Sequence, residues 1–281
     1  METSEVPDAV AAGLSTASML GLEASEATVL QRSNRIVIRL LPCDVVARVA
    51  LVGHRAPAAL EVELARQLAA AGAPVAALDA RVEPRVQLCD GFVISLWAHY
   101  EQLTPREVAP AEYAEALQQL HAGLRKVDIA TPHFTDRVAE AEWLAGSPDH
   151  TPDLPGPDRE FLCNTLRTLG RTVRGRGSVE QLLHGEPHPG NLLTTSEGLL
   201  FTDFETGCRG PIEFDIAHAP EEVDAHYGDA DRELVRQCRL LVLAMIATWR
   251  WDTNDRFPSG RRLGRSWLAE LRAGMTGLDT A

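Results

Sequence analysis

The first 97 residues alternate short runs of apolar and polar positions with one strong helical pattern, whereas the remainder consists mostly of long stretches with apolar positions three and four apart. This shift predicts two lobes, a sheet-rich one over 1–97 and a helical one over 98–281. In the first, 35–41 and 45–52 read as strands joined by a turn around Pro42 and Asp44, a β-hairpin. Residues 58–71 read as a helix stopped by Gly72 and Pro74, and 82–88 pairs with 92–97 around Cys89-Asp90-Gly91. Further on, the spacing predicts helices over 110–126, 135–145, 158–174, 213–227, 230–251 and 261–273, with a proline-rich surface loop over 146–157. Only 191–194 and 199–202 read as strands there, paired across Ser196-Glu197-Gly198.

Composition narrows the function classes. With 281 residues and 45% hydrophobic side chains the chain can fill sizeable cores. The longest strongly apolar run, 240–249, is about half of what a membrane-spanning helix needs, and residues 1–7 lack the basic start and apolar core of a secretory signal. A cytoplasmic protein with no membrane partner is expected. Its five cysteines are scattered and form no C-x-x-C pair, which argues against a disulfide framework and a structural zinc site. A net charge of −13 leaves no broad cationic face for nucleic acid, and the small clusters Arg171, Arg174, Arg176 and Arg261, Arg262, Arg265 read as solvated surface. Lys126 is the only lysine beside 26 arginines, so a phosphate-gripping cation in this chain should be an arginine.

The densest chemistry is His184-Gly185-Glu186-Pro187-His188-Pro189-Gly190-Asn191, followed after the short hairpin by Thr202-Asp203-Phe204-Glu205. Because a hairpin reverses the chain, Asn191 near its start and Asp203 just past its end can lie side by side, with Glu186 on the preceding loop. Such hard oxygen donors suit magnesium, which keeps some waters and takes further ligands from substrate phosphates. A different reading takes His184, Glu186 and His188 as ligands of iron or zinc in an oxygenase or hydrolase. Pro187 and Pro189 disfavour the regular strand which that reading needs.

The same residues resemble the aminoglycoside phosphotransferase family, relatives of the protein kinases, with its H-G-D-x-H-x-x-N signature followed by a strand and an Asp-containing metal motif. The resemblance implies an α+β, bilobal protein-kinase-like fold with a small sheet lobe and a larger helical lobe. It also implies a kinase that moves phosphate from ATP, or GTP, to a small hydroxylated substrate, aminoglycosides and other cationic metabolites among the candidates, with Mg2+. Glu186 then takes the place of the catalytic Asp, His184 and His188 brace its loop, and Asn191 and Asp203 hold the metal. The Gly210-to-Ala217 run resembles the segment after the metal motif, in which Asp215 ties down the catalytic loop. Arg48, in Val45-Val46-Ala47-Arg48-Val49, stands where the family places its phosphate cation, with Glu61 or Glu63 as its partner. Arg32-Ser33-Asn34 resembles the phosphate-covering turn without its glycines, and Leu96, Trp97 and Ala98 would meet the base at the hinge.

Glu186 is the one departure from the signature, since its extra methylene displaces the carboxylate by about 1.5 Å, enough to impair a base. A catalytically impaired nucleotide-binding protein is the alternative that this departure raises. The acidic run Glu221, Glu222, Asp224, Asp229, Asp231 and Glu233 reads as a solvated face or as a wall for a cationic acceptor.

Overall fold

The computed structural model describes residues 1, 3–33, 35–101, 108–176, 179–257 and 259–279. The chain forms two compact units, one made of Met1–Ala130 with Glu186–Gly207 and the other of Thr131–Gly185 with Cys208–Ala281. A small antiparallel sheet with helices occupies the first, and a helical assembly occupies the second, so the expected α+β class is correct.

The first unit holds helix α1 (Val6–Met19), strands β1 (Ala24–Arg32), β2 (Ile36–Pro42) and β3 (Val45–Leu51), helix α2 (Arg55–Ala70), strands β4 (Gln87–Cys89) and β5 (Phe92–Ala98), and helix α3 (Pro110–Leu124). The strands run in the order β1-β2-β3-β5-β4, all antiparallel. Alternation along them gives the sheet two faces of different character. Ile36, Ile38, Leu40, Val45, Ala47, Val49, Ile94 and Leu96 are buried on one face, packed with Ala9, Ala12 and Ala17 of α1. Burying each of the larger aliphatic side chains contributes roughly 1.5–3 kcal/mol. The opposite face carries Val37, Val46, Arg48 and Trp97, with Val37 opposite Arg48 and Val46 opposite Trp97 across the ladder.

Two elements here, α1 and the largely exposed β1, escape the hydrophobic pattern, and one expected strand is shortened. α1 is built from small residues, Ala9, Ala12, Gly13, Thr16 and Ala17, on its buried side. Small side chains let the helix lie close on the sheet but give a weak amphipathic signal. Residues 82–86, expected as strand, are not extended into the ladder, and β4 is only Gln87–Cys89. Pro84 lacks the N–H a ladder requires, and Asp79 draws Arg81 into a local turn through both its backbone and its guanidinium.

An extended segment then ties the sheet to a second hairpin. Ala98 N–H donates to the Ala77 carbonyl at 3.0 Å and Asp79 N–H to the Leu96 carbonyl at 3.1 Å, while Ala76 N–H donates to the Phe201 carbonyl at 3.0 Å and Phe201 N–H to that of Pro74 at 2.8 Å. α3 packs beside this segment through Gly123, where an added Cβ would sit 2.6 Å from the Ala73 Cβ. Gly123→Ala should therefore destabilise the protein by about 1–3 kcal/mol in chemical denaturation, because backbone displacement outweighs the ~1 kcal/mol gain in helix propensity. A more stable variant would show that the contact relaxes freely.

The second unit contains α4 (Phe134–Ala145), α5 (Gly156–Gly175), β6 (Glu180–Leu183) and, after residue 207, a strand at Cys208–Pro211, a short helix at Ile212–Ile216 and two long helices, Arg232–Trp249 and Gly260–Asp279. In chain order the hairpin of the first unit supplies β7 (Leu192–Thr195) and β8 (Gly198–Phe201), and the later elements are β9, α6, α7 and α8. β6 and β9 form an antiparallel pair that the sequence pattern did not reveal: each is four residues long and β9 ends in Gly210-Pro211. The helix expected over 213–227 is broken into α6 and a 3-10 stretch, Glu221–His226, because Pro220 cannot continue it. The core of this unit is built from apolar faces of α4, α5, α7 and α8. Among the described residues no helix is long and apolar enough to cross a membrane.

Candidate active site

The β7–β8 hairpin sets the geometry of the oxygen donors. Leu192 pairs with Phe201, and Thr202 N–H donates to the Asn191 carbonyl at 2.9 Å, so the residues entering and leaving the hairpin are joined. Asn191 turns its amide Nδ2 to the Glu186 carbonyl at 3.0 Å, which leaves its Oδ1 as the group able to ligate. The Glu186 carbonyl also accepts from His188 N–H at 2.8 Å, and His188 Nδ1 accepts from Gly190 N–H at 2.9 Å. Tyr113 of α3 donates its hydroxyl to the Pro187 carbonyl. Between them these bonds fix the loop from Glu186 to Asn191 from inside its own unit.

The approach to that loop is held within the second unit. Asp215 is fully buried and accepts from the N–H groups of His184, at 2.9 Å, and Gly185, at 2.8 Å, while Arg137 donates to the Gly185 carbonyl at 2.8 Å. Gly185 adopts φ +88°, a conformation in which a Cβ would be strained. Asp215 therefore occupies the tethering position its sequence context suggests. Asp215→Ala should remove about 3 kcal/mol of stability, read by chemical denaturation, since two buried N–H donors lose their acceptor at about 1–3 kcal/mol each. An unchanged midpoint would show the tether to be dispensable.

Next to the hairpin, five charged side chains form one cluster. Arg48 of β3 donates to Glu61 Oε1, and the other oxygen of Glu61 lies 3.3 Å from Arg35 Nη1. Of the two candidate partners for Arg48 the structure selects Glu61, which is only 1% exposed, whereas Glu63 pairs with Arg66 on the surface of α2. Arg35 also reaches Asp203 Oδ2 through Nη2 at 2.5 Å and Glu205 Oε1 through Nη1 at 2.5 Å. Asp203 itself has φ +71°, in the left-handed region that non-glycine residues seldom occupy. The backbone is thus bent so that Asp203 and Glu205 both face the cation.

Burial dominates the titration of this cluster. It opposes charge on Arg35, but Glu61, Asp203 and Glu205 together more than reverse it and hold Arg35 above the usual arginine value. For Arg48 burial prevails over the attraction of Glu61 and lowers the pKa. Burial pushes the Glu205 carboxyl up to about 7, against the pull of Arg35 and with the help of neighbouring Glu61 and Asp203.

A cavity of ≈ 680 Å³ opens over this arrangement, lined among others by Val37, Val46, Arg48, Trp97, Ala98, Asn191 and Asp203. A smaller one of ≈ 180 Å³ is lined by Glu186, Glu205 and His54, and it shares Arg35 and Asp203 with the first. Asn191, Asp203, Arg48, Trp97 and Ala98 are thereby brought to one space and Glu186 to the adjoining one. Leu96 is not among the lining residues: its side chain belongs to the opposite face of the sheet and its carbonyl is occupied by Asp79. His184 is fully buried, and His188 serves its own loop. Among the described residues no three His, Cys, Asp or Glu side chains form a metal-holding group, so the reading of His184, Glu186 and His188 as transition-metal ligands has no support. Asn34 of the expected phosphate-covering turn lies outside the described residues.

Sequence reasoning passed over Arg35 and Glu205. Strand alternation could have found the first, because Arg35 and Val37 share a face and Val37 lies opposite Arg48. Glu205, two residues beyond Asp203, carried a weaker signal. The donor set suits a hard divalent cation: two carboxylates already converge on one positive group, and Asn191 adds a neutral oxygen on the same cavity wall.

The family model of the phosphotransferase enzyme family (APH) matches residues 29–269. No curated protein sequence matches the chain. Among solved structures it is similar to amicoumacin kinase hAmiN in complex with AMP-PNP, Ca2+ and Ami, at TM-score 0.73 and 12% identity over 96% of each chain. It is also similar to a choline/ethanolamine kinase family protein from Mesorhizobium loti, at TM-score 0.68 and 17% identity over 96% of this chain and 94% of the other. For the GDP complex of aminoglycoside 2'-phosphotransferase-IIIa the TM-score is 0.68 and the identity 14%, over 93% and 97% of the two chains. At such identities the likeness establishes the fold, a protein-kinase-like α+β one, while the family match extends through the loop, the hairpin and the charged cluster. The chain belongs to the phosphotransferase enzyme family and is a small-molecule kinase.

Proposed function

We propose that this kinase transfers the γ-phosphoryl group of ATP to a hydroxyl of a small, cationic molecule in the cytoplasm, with residues 1–97 as nucleotide lobe and 98–281 as acceptor lobe. The observation that carries the reading is the meeting of Arg48, Asn191 and Asp203 on one cavity with Glu186 on the cavity beside it. Magnesium held by Asn191 and Asp203 would neutralise charge on the phosphate oxygens. Arg48 grips the same phosphates: its Nε–H is buried without an acceptor in the protein, and its guanidinium is fixed by Glu61 and stacked 4.4 Å from the Trp97 ring centroid. Val37, Val46 and Trp97 give the base an apolar bed. The Ala98 carbonyl, on the strand edge beyond its bonded N–H, is an acceptor for the amino group of adenine.

Glu186 orients the acceptor hydroxyl. As that oxygen bonds to the γ-phosphorus, the bond to the bridging oxygen breaks, ADP leaves and the proton passes to the Glu186 carboxylate. A cationic acceptor suits a chain of net charge −13, and the names of similar structures include choline, ethanolamine and aminoglycoside kinases. The test is a phosphate-transfer screen with magnesium and ATP or GTP against aminoglycosides, amino alcohols and neutral sugars. Phosphorylation of a cationic alcohol is expected; nucleotide binding with no transfer to any of them would overturn the assignment, and transfer only to neutral sugars would overturn the acceptor class.

A further inference from the structure

Arg35 is the one cation of the charged cluster that the nucleotide reading leaves without a task. It faces both cavities, and its guanidinium serves Glu61, Asp203 and Glu205 at once. Glu61 holds Arg35 by one carboxylate oxygen and Arg48 by the other, so the two guanidiniums are anchored side by side on a single carboxylate. One negative charge cannot balance two positive ones. Asp203 and Glu205 supply further carboxylates, so that three acidic groups face two arginines in a largely buried setting.

That arrangement conflicts with a divalent cation on Asp203. Arg35 already occupies Asp203 Oδ2, and a guanidinium 2.5 Å away repels a second cation placed on the same carboxylate. A triphosphate resolves the conflict, because it supplies several anionic oxygens to whichever cation is displaced. Planar guanidinium groups are well shaped to take phosphate oxygens in pairs.

Resting on the nucleotide reading above, we propose that Arg35 is a second phosphate-gripping residue, paired with Asp203 and Glu205 in the absence of nucleotide and transferred to the β- and γ-phosphates when Asp203 ligates a divalent cation. Arg35 thus acts as an internal counter-ion that disfavours metal binding without nucleotide and favours the two together. Glu61 is the pivot, since it stays bonded to Arg48 in either position.

The test compares wild type with Arg35→Gln by calorimetric titration with Mn2+ alone, with MgATP and with AMP, which lacks the β- and γ-phosphates. Removing the guanidinium should tighten Mn2+ binding to the nucleotide-free protein by about tenfold, weaken MgATP by about tenfold and leave AMP unchanged. Equal affinities in the two proteins for Mn2+ and MgATP, or a parallel loss for all three ligands, would overturn the inference and make Arg35 a structural ion-pair partner. If Arg35→Gln does not fold, Arg35→Lys decides: it keeps the charge but not the planar fork that takes phosphate oxygens in pairs, so MgATP should bind more weakly than to wild type with AMP unchanged, and unchanged MgATP binding or a parallel loss for AMP overturns the idea. Wild type that binds neither Mn2+ nor MgATP would sink the nucleotide reading itself, a result distinct from a wild type that binds both and a variant that matches it.

Discussion

Asp203→Ala is expected to lower the single-turnover rate of phosphate transfer by about 10³-fold or more while the protein remains folded. Among the described residues Asp203 is the only carboxylate that lines both cavities, which under the proposed function are the space where phosphate charge must be neutralised. Losing one preorganised charge-stabilising group in such a site typically costs two to three orders of magnitude, roughly 3–4 kcal/mol of barrier. Because Asp203 is partly exposed and Arg35 keeps Glu61 and Glu205, the loss of stability should be small by comparison. Wild-type-like turnover in the variant would remove Asp203 from the chemistry.

Glu61→Ala should have the largest effect on stability. It strips two mostly buried guanidiniums of their common carboxylate, and breaking a buried pair from one side costs about 3–5 kcal/mol. A fall of roughly 10 °C in the thermal midpoint follows for a chain of this size, together with loss of nucleotide affinity as Arg48 is no longer held over Trp97. Glu63→Ala, two positions along α2, removes a surface partner of Arg66 and Gln67 and should leave the midpoint nearly unchanged. Equal effects of the two substitutions would contradict the assignment of Glu61 as the anchor.

The parts of this site that could be read from the sequence are those whose chemistry is local. A short hairpin brings its flanking residues together wherever it forms, so Asn191 and Asp203 were legible as neighbours, and the resemblance of 45–49 to the family's cation-bearing strand marked Arg48. Interactions across long separations were not legible: Arg35 finds Glu205 170 positions away, and nothing in either neighbourhood announces the pairing. Glu61 and Glu63 lie on one helix, and only burial tells them apart. In the fold, α1 escaped because close packing against Ile38 and Val49 requires small residues such as Gly13, which blur amphipathic contrast. β6 and β9 escaped because they pair across a long separation with no turn to join them, whereas the equally short β7 and β8 are marked by the turn between them.

The account stands most directly on the location of the metal. A crystal of the protein grown with Mn2+ and a non-hydrolysable ATP analogue, measured at the manganese absorption edge, should place the anomalous peak within coordination distance of Asn191 Oδ1 and Asp203, with phosphate oxygens completing the shell. A peak between His184 and His188, or triphosphate bound away from the cavity that Asn191 and Asp203 line, would contradict it.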